Sequence, residues 1–488
     1  MTDTMDQTIA DVLRERFGFE RLYPLQRRII ARVMAGGDAL VVMPTGSGKS
    51  LCYQLPALAL HGPGVTLVFS PLIALMEDQV AALKKHGVGA EYINSTLKRA
   101  ERERRYERLA GGEYELIYAT PERMHKPDFV DALKRVPGGV KLLAIDEAHC
   151  ITKWGHDFRP AYQQVGAFRK LLGCPPTVAL TATATRVVRD DILATLGLDA
   201  GAMPLFASGI DRPNLSFRVE RVWGDDQKRT RIFDTADACP GTGIVYFSLI
   251  KDLERFADEL QRQNAARRDT SGELAFELYH GKLDPIQKKR VYQRFIKSRP
   301  DQRLMLLATN AFGMGVDKPD IRYIVHAQLP GSVEAYYQEV GRAGRDGDPS
   351  ECVLLYDQDD LAIQHQFVEW MNPSADLLMQ ASAVLERMPH ADFDVDELRD
   401  LIIHKNRGDR RAEYCLIALN KYDVVEPSSI AGRYRMVRPL CDEQIDAELL
   451  DAKKQSDLKR LLDVVNLTKA DDLRRFIAEY FQLDPPAC

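Results

Sequence analysis

Short apolar runs punctuate the first three quarters of the chain. ALVVM (39–43), TLVFS (66–70), LIYAT (116–120), LLAID (142–146) and TVALTAT (177–183) are separated by segments with apolar residues at helical spacing. The alternation restarts with GIVYFS (243–248), LMLLAT (304–309), IRYIVHA (321–327) and CVLLY (352–356). A continuous apolar run suits a strand whose sheet is covered on both faces, and strands that alternate with helices pair in parallel. The pattern predicts two α/β lobes in tandem, residues 1–208 and 209–356. The hinge is expected around Ser208–Asn214, where Gly209 and Pro213 interrupt the periodicity.

Beyond Tyr356 the period becomes helical, and residues 357–488 are expected to form a mainly helical C-terminal region. DFDVDELRDLIIHK (392–405) and RRAEYCLIALNKYD (410–423) are amphipathic, and DVVEP (423–427) with RYRMVRP (433–439) suits a hairpin. Two helices followed by a hairpin is the order of a winged helix, at about 392–440; a generic helical cap is the alternative. Two last helices are expected near 442–465 and 469–481.

Composition changes this picture only by exclusion. With 488 residues, 45% of them hydrophobic and 28% charged, the chain has the profile of a soluble globular protein of two or three domains. No apolar run is long enough for a bilayer, and the polar, acidic N-terminus is unlike a secretory signal, so a cytoplasmic protein is expected. The net charge of −5, from 66 basic and 71 acidic residues, argues against a passive DNA-coating protein. It does not exclude a motor with a local basic groove. Of the 8 cysteines none forms a CxxC knuckle, and they read as small buried hydrophobes.

Three segments carry chemistry. Residues 43–50, MPTGSGKS, lie between the strand-like ALVVM and the helix-like LCYQLPALAL, the context of a phosphate-binding loop. Thr45, Gly46, Ser47 and Gly48 let backbone N–H groups curl around phosphate oxygens, Lys49 can bridge the β- and γ-phosphates of ATP, and Ser50 can hold Mg²⁺. Met43 stands where the general pattern has its first glycine. In LLAIDEAH (142–149) a strand ends in two carboxylates: Asp146 would fix the Mg²⁺ and Glu147 would orient or deprotonate the attacking water. A helix-capping pair is the bland alternative. In YQEVGRAGRDG (337–347), Arg342 and Arg345 lie three apart, so that on a helix both would face one cleft and neutralise charge on the transferring phosphoryl group. Arginines on a different lobe from the phosphate loop let ATP bridge the lobes and its loss part them.

These blocks, in order from about Phe17 to Tyr356, resemble the superfamily-two helicases and within them the RecQ family. PLQRRII (24–30) resembles the adenine-reading motif: Gln26 would bond the base edge and Phe19 stack on it, with Tyr23 where the motif usually has arginine. FSPLIALMEDQV (69–80) and ATPERM (119–124) are similar to strand-contacting motifs, and LTATAT (180–185) to the motif coupling hydrolysis to lobe movement. ATNAFGMGVDKPDIRYIVH (308–326) and the arginine motif, with Gln338 in its catalytic set, complete the second lobe. HCITKWGHDFRPAY (149–162) resembles the aromatic-rich loop of RecQ helicases. Trp154 and Phe158 offer faces for single-stranded bases, Arg159 can meet a phosphate, and His156 and Asp157 would sit between strand and nucleotide site, where they could report DNA binding to Glu147. A Trp-anchored core loop is the alternative.

The resemblance implies two RecA-like lobes and an ATP-dependent DNA helicase of 3′→5′ polarity, acting as a monomer on single-stranded and partly duplex DNA in repair or recombination. An RNA helicase or remodeller of the same superfamily, and an ATP-switched DNA clamp or translocase with weak unwinding, are the competing readings. Family members commonly carry a four-cysteine zinc module after the motor. LRRFIAEYF (473–481) has Leu473 where the family has a cysteine, so no structural zinc is expected.

Overall fold

The apolar runs close into two parallel sheets. The computed structural model describes residues 2–44, 46–152, 160–209, 212–267, 274–313, 316, 318–388, 392–402, 409–428, 430 and 432–482. In lobe one, strands β1 (Ala39–Val42), β2 (Val65–Phe69), β3 (Ala90–Ile93), β4 (Leu116–Ala119), β5 (Val140–Ile145), β6 (Thr177–Thr181) and β7 (Leu205–Ala207) lie in the order β3-β4-β2-β5-β6-β1-β7, all neighbours parallel. Both faces are covered: Val41, Val68 and Ala144 pack under one helical layer, Leu40, Phe69 and Ile145 under the other.

Lobe two repeats the plan with β8 (Leu215–Arg221), β9 (Thr242–Tyr246), β10 (Ala275–Tyr279), β11 (Leu304–Ala308), β12 (Ile321–His326) and β13 (Ser350–Tyr356), ordered β10-β11-β9-β12-β13-β8 and again parallel. Lys228, on the helix Gly224–Ala238, is buried against Asp360 at 2.7 and 2.8 Å, tying lobe two to the helix Asp360–Met371.

The C-terminal region divides between two cores. Helices Ala375–Glu386, Val395–Ile402 and Arg411–Lys421 surround Leu378, Leu398, Leu416 and Leu419. With them goes an antiparallel sheet of β14 (Asp392–Phe393), β15 (Val425–Pro427) and β16 (Tyr434–Met436), in the order β14-β16-β15. The succession helix, strand, helix, helix, strand, strand is the element order of a winged helix. The last two helices, Ala447–Leu467 and Leu473–Phe481, return to lobe two, where Val464, Leu467, Ile477 and Phe481 share a core with Ile324, Tyr336 and Leu354. Each starts a few residues later than the periodicity suggests because an aspartate caps it: Asp446 accepts from the Leu449 amide at 2.9 Å and Asp472 from the Arg475 amide at 3.0 Å. Among the described residues no helix is long and apolar enough to cross a membrane.

Candidate active site

The strand order decides which loops meet. β6 lies between β1 and β5, so the loop after β1 and the carboxylates after β5 open at the same carboxyl edge, on either side of Thr181. In the loop, Gly46 and Gly48 adopt φ of +79° and +75°, left-handed values that other residues resist. Close approach reinforces the requirement: a Cβ on Gly46 would stand 2.9 Å from Cδ of Arg345, and one on Gly48 2.5 Å from Nε2 of Gln26. Lys49 follows, its Nζ donating to the Met43 carbonyl at 3.0 Å, and Ser50 heads the helix Leu51–Ala59. Thr45 lies outside the described residues.

Across Thr181, the Asp146 amide donates to Phe69 O at 2.8 Å and the Asp146 carbonyl accepts from the buried Tyr162 hydroxyl at 2.9 Å. Glu147 turns out of the strand in the left-handed region, at φ 48°, and its amide donates to Asp146 Oδ1 at 3.1 Å. Burial, and then the neighbouring charge of Glu147, push the Asp146 carboxyl up to about 7, although Lys49 pulls the other way. Desolvation lowers the Lys49 ammonium against the pull of Glu147 and Asp146. Two neighbouring carboxylates thus face Lys49 at the strand ends, and their hard oxygens are the ligand type that a divalent ion takes.

A chain of side chains leads from this pocket into lobe two. His149 Nδ1 stands 3.3 Å from Glu147 Oε2 and 2.9 Å from Thr181 Oγ1. The Thr181 hydroxyl spends its proton on the Thr183 carbonyl at 2.9 Å, so Nδ1 of His149 must be the donor. Gln338 of lobe two then donates to Thr183 Oγ1 at 3.2 Å. Sequence reading picked out LTATAT and DEAH separately, but their meeting through His149 joins residues 32 positions apart and has no local signal.

One expectation needs correction. Arg342 and Arg345 do not share a helix: Val333–Val340 ends at Gly341, and both arginines lie in the turn that follows. Gly344, at φ +53°, keeps the chain from continuing as a helix. The two side chains part. Arg342 is buried beside the Tyr246 hydroxyl, and Arg345 donates to Val316 O at 2.9 Å with its stem over Gly46.

Gln26 is buried with its amide donating to the carbonyls of Ser47 and Gly48 at 3.1 and 3.3 Å, while its oxygen accepts from the Tyr23 amide at 3.0 Å. In this state it buttresses the phosphate loop. Phe19 and Tyr23 are exposed, at 55% and 70%. Trp154, His156, Asp157, Phe158 and Arg159 lie outside the described residues. The described residues on either side of them are tied to the carboxylate turn. Gln163 donates to the Ile151 carbonyl just before them, and Tyr162 just after them bonds Asp146.

Comparison with known proteins finds relatives along most of the chain. The family described as DEAD/DEAH box helicase matches residues 23–191, and Helicase conserved C-terminal domain matches residues 230–347. The chain is 39% identical over 405 residues to a probable ATP-dependent DNA helicase RecS of Bacillus subtilis, covering 83% of this chain and 77% of that protein. It is 42% identical over 360 residues to the ATP-dependent DNA helicase RecQ of the same organism, covering 73% of this chain but only 58% of that longer protein. Among solved structures it resembles the DUF1998 helicase MrfA bound to DNA, with TM-score 0.59, 18% identity and coverage of 89% and 63%. It also resembles Saccharomyces cerevisiae Dbp5 bound to RNA and ADP BeF3, with TM-score 0.55, 16% identity and coverage of 74% and 90%. At those identities the two structures speak for the fold alone.

Proposed function

Because the chain belongs to the RecQ family of superfamily-two helicases, we propose that it couples ATP hydrolysis to 3′→5′ movement along single-stranded DNA and to opening of the duplex ahead. The observation that carries this reading is Arg345 of lobe two lying against Gly46 in the phosphate loop of lobe one. A nucleotide seated on the loop has the arginine of the other lobe at its phosphates, so hydrolysis and lobe separation become one event. The loop amides and Lys49 would cradle the β- and γ-phosphates, Ser50 and Asp146 would hold Mg²⁺, and Glu147 would orient the attacking water. Bound Mg²⁺ supplies charge neutralisation at the phosphoryl oxygens. Arg345 stabilises the developing charge, and Gln338 with Arg342 sets the register of lobe two against lobe one. Phe19 would stack on adenine, and Gln26 would read the base edge once its amide leaves the phosphate loop.

The residues flanking the WGHDF segment support its role in coupling to DNA. They are bonded to the carboxylate turn itself, so a strand stacked on Trp154 and Phe158 and paired with Arg159 would act on Asp146 and Glu147 through Tyr162 and Ile151, with His156 alongside. Repair or recombination is the service that the family resemblance implies. The test is ATP hydrolysis by wild type and Trp154→Ala with single-stranded DNA, with RNA, and with neither. The reading expects strong stimulation by DNA, little by RNA, and loss of the stimulation but not of nucleotide binding in the variant. Equal stimulation by RNA would favour an RNA remodeller, and stimulation that survives in the variant would remove the loop from the mechanism.

A further inference from the structure

The turn that carries the arginines is held from outside its own lobe's sheet. Arg212, in the segment joining the lobes, donates to the carbonyls of Gly341 at 3.3 Å, Ala343 at 2.7 Å and Gly344 at 2.6 Å. Asn214, two residues on, donates to Gly344 O at 2.8 Å and Asp348 O at 2.9 Å. The fit leaves no slack, since a Cβ on Gly344 would stand 2.5 Å from the Asn214 amide nitrogen. The C-terminal helix Leu473–Phe481 in turn fixes the linker. Arg474 donates to the Arg212 carbonyl at 3.0 Å and also to that of Leu215, and its guanidinium stacks 5.1 Å from the Phe217 ring of β8.

We infer that Arg212 is a positioning residue for the interlobe arginine, and that Arg474 of the C-terminal helix sets Arg212. The inference rests on the reading of Arg345 as the group that meets the nucleotide from lobe two. A helix end leaves several carbonyls without partners. Here one planar guanidinium with donors in a fixed fork spans three carbonyls of the turn just past the helix end, which a lysine ammonium cannot do in the same geometry. Arg212 sits in the segment joining the lobes, so the side chain that holds the arginine turn is itself part of the connection between them. The packing of the last helix against lobe two thereby enters ATP turnover without touching nucleotide or DNA. The path is contiguous, by bonds from Arg474 to the Arg212 carbonyl, from the Arg212 guanidinium to the turn and from Arg345 to Val316, and by the close approach of the Arg345 stem to Gly46.

The experiment measures DNA-stimulated kcat, KM for ATP and thermal midpoint for wild type, Arg212→Ala, Arg212→Lys, Arg474→Ala and each of these combined with Arg345→Ala, with single-turnover rates for the slow variants. Misplacing a catalytic group by roughly 1 Å costs on the order of a hundred-fold. Arg212→Ala and Arg212→Lys should therefore lower kcat about ten- to hundred-fold with KM for ATP nearly unchanged, and Arg474→Ala should do the same more weakly. In the Arg345→Ala background all three should cost almost nothing further, because a positioning residue has nothing left to position. Arg212→Lys keeps the charge and carries the test if Arg212→Ala does not fold. Full additivity with Arg345→Ala, or recovery of kcat by Arg212→Lys, would overturn the inference. A wild type that hydrolyses no ATP would remove its premise as well, whereas a working wild type with additive variants overturns the inference alone.

Discussion

Replacing Thr183 by valine removes one hydroxyl and little else. The side chain is buried, at 4% exposed, and valine has the same shape. What is lost is the 3.2 Å bond from Gln338, which joins one lobe to the other. The Gln338 amide borders the cavity that Thr183, Ser332 and Ala335 line, so it can turn to water instead of being stranded. The cost is then that of one neutral hydrogen bond, about 0.5–1.5 kcal/mol, rather than the larger penalty of a buried orphan. If the bond forms only when the lobes close, that energy comes off the closed state in which phosphoryl transfer takes place. DNA-stimulated kcat should fall roughly two- to twelve-fold, at 1.4 kcal/mol per factor of ten. KM for ATP should move little, because the phosphate loop and the carboxylates stay on lobe one. Steady-state ATPase assays with saturating single-stranded DNA measure both parameters. Gln338→Ala should match Thr183→Val, and the double variant should be no worse than either. A change confined to KM, or two losses that add, would refute the account of this bond as the latch of the closed state.

Two further predictions concern buried charge. Burial and the neighbouring Glu147 push the Asp146 carboxyl up to about 7, above its unfolded value, so between the two the folded site keeps a proton that the unfolded chain has lost, and its ionisation costs stability as pH rises. A divalent cation takes the ionised form. Calorimetry of Mg²⁺-ATP binding should therefore show affinity rising from pH 6 to about 7 with proton release, and Asp146→Asn should reduce both to the nucleotide's own contribution; an unchanged pH slope in the variant would sink the assignment. Lys228→Ala would strand Asp360, whose carboxyl burial already pushes up to about 6. Urea unfolding should show a loss of about 3–5 kcal/mol at pH 8 that shrinks at pH 5.5, where Asp360 is protonated with or without its partner, and an equal loss at both pH values would contradict this.

The nine strands marked by apolar runs are all interior to their sheets. The four that the pattern does not mark, β3, β7, β8 and β10, are the four edges. An interior strand is covered on both faces and bonded on both sides, so it reads as a solid apolar run, as in LMLLA of β11. An edge strand is partly solvated and reads as mixed: β10 is AFELY with every residue half-buried, and β8 is LSFRVER. The placement of the candidate site was legible for a related reason, since a glycine-rich loop or a carboxylate pair is a local device at a strand end. Relations between distant segments were not. Nothing near Arg212 announces that it grips a turn 129 to 132 residues away, and Arg474 sits in an ordinary amphipathic helix. The arginine turn itself was misjudged because residue spacing alone cannot show that Gly341 has already ended the helix.

The most direct measurement of the central claim is strand displacement on short duplexes bearing a 3′ tail, a 5′ tail or no tail, with Mg²⁺-ATP, by wild type and Lys49→Ala. The account predicts that wild type opens the 3′-tailed duplex well before the other two and that Lys49→Ala opens none. A wild type that hydrolyses ATP on DNA yet displaces no strand would make this chain a clamp or translocase rather than a helicase.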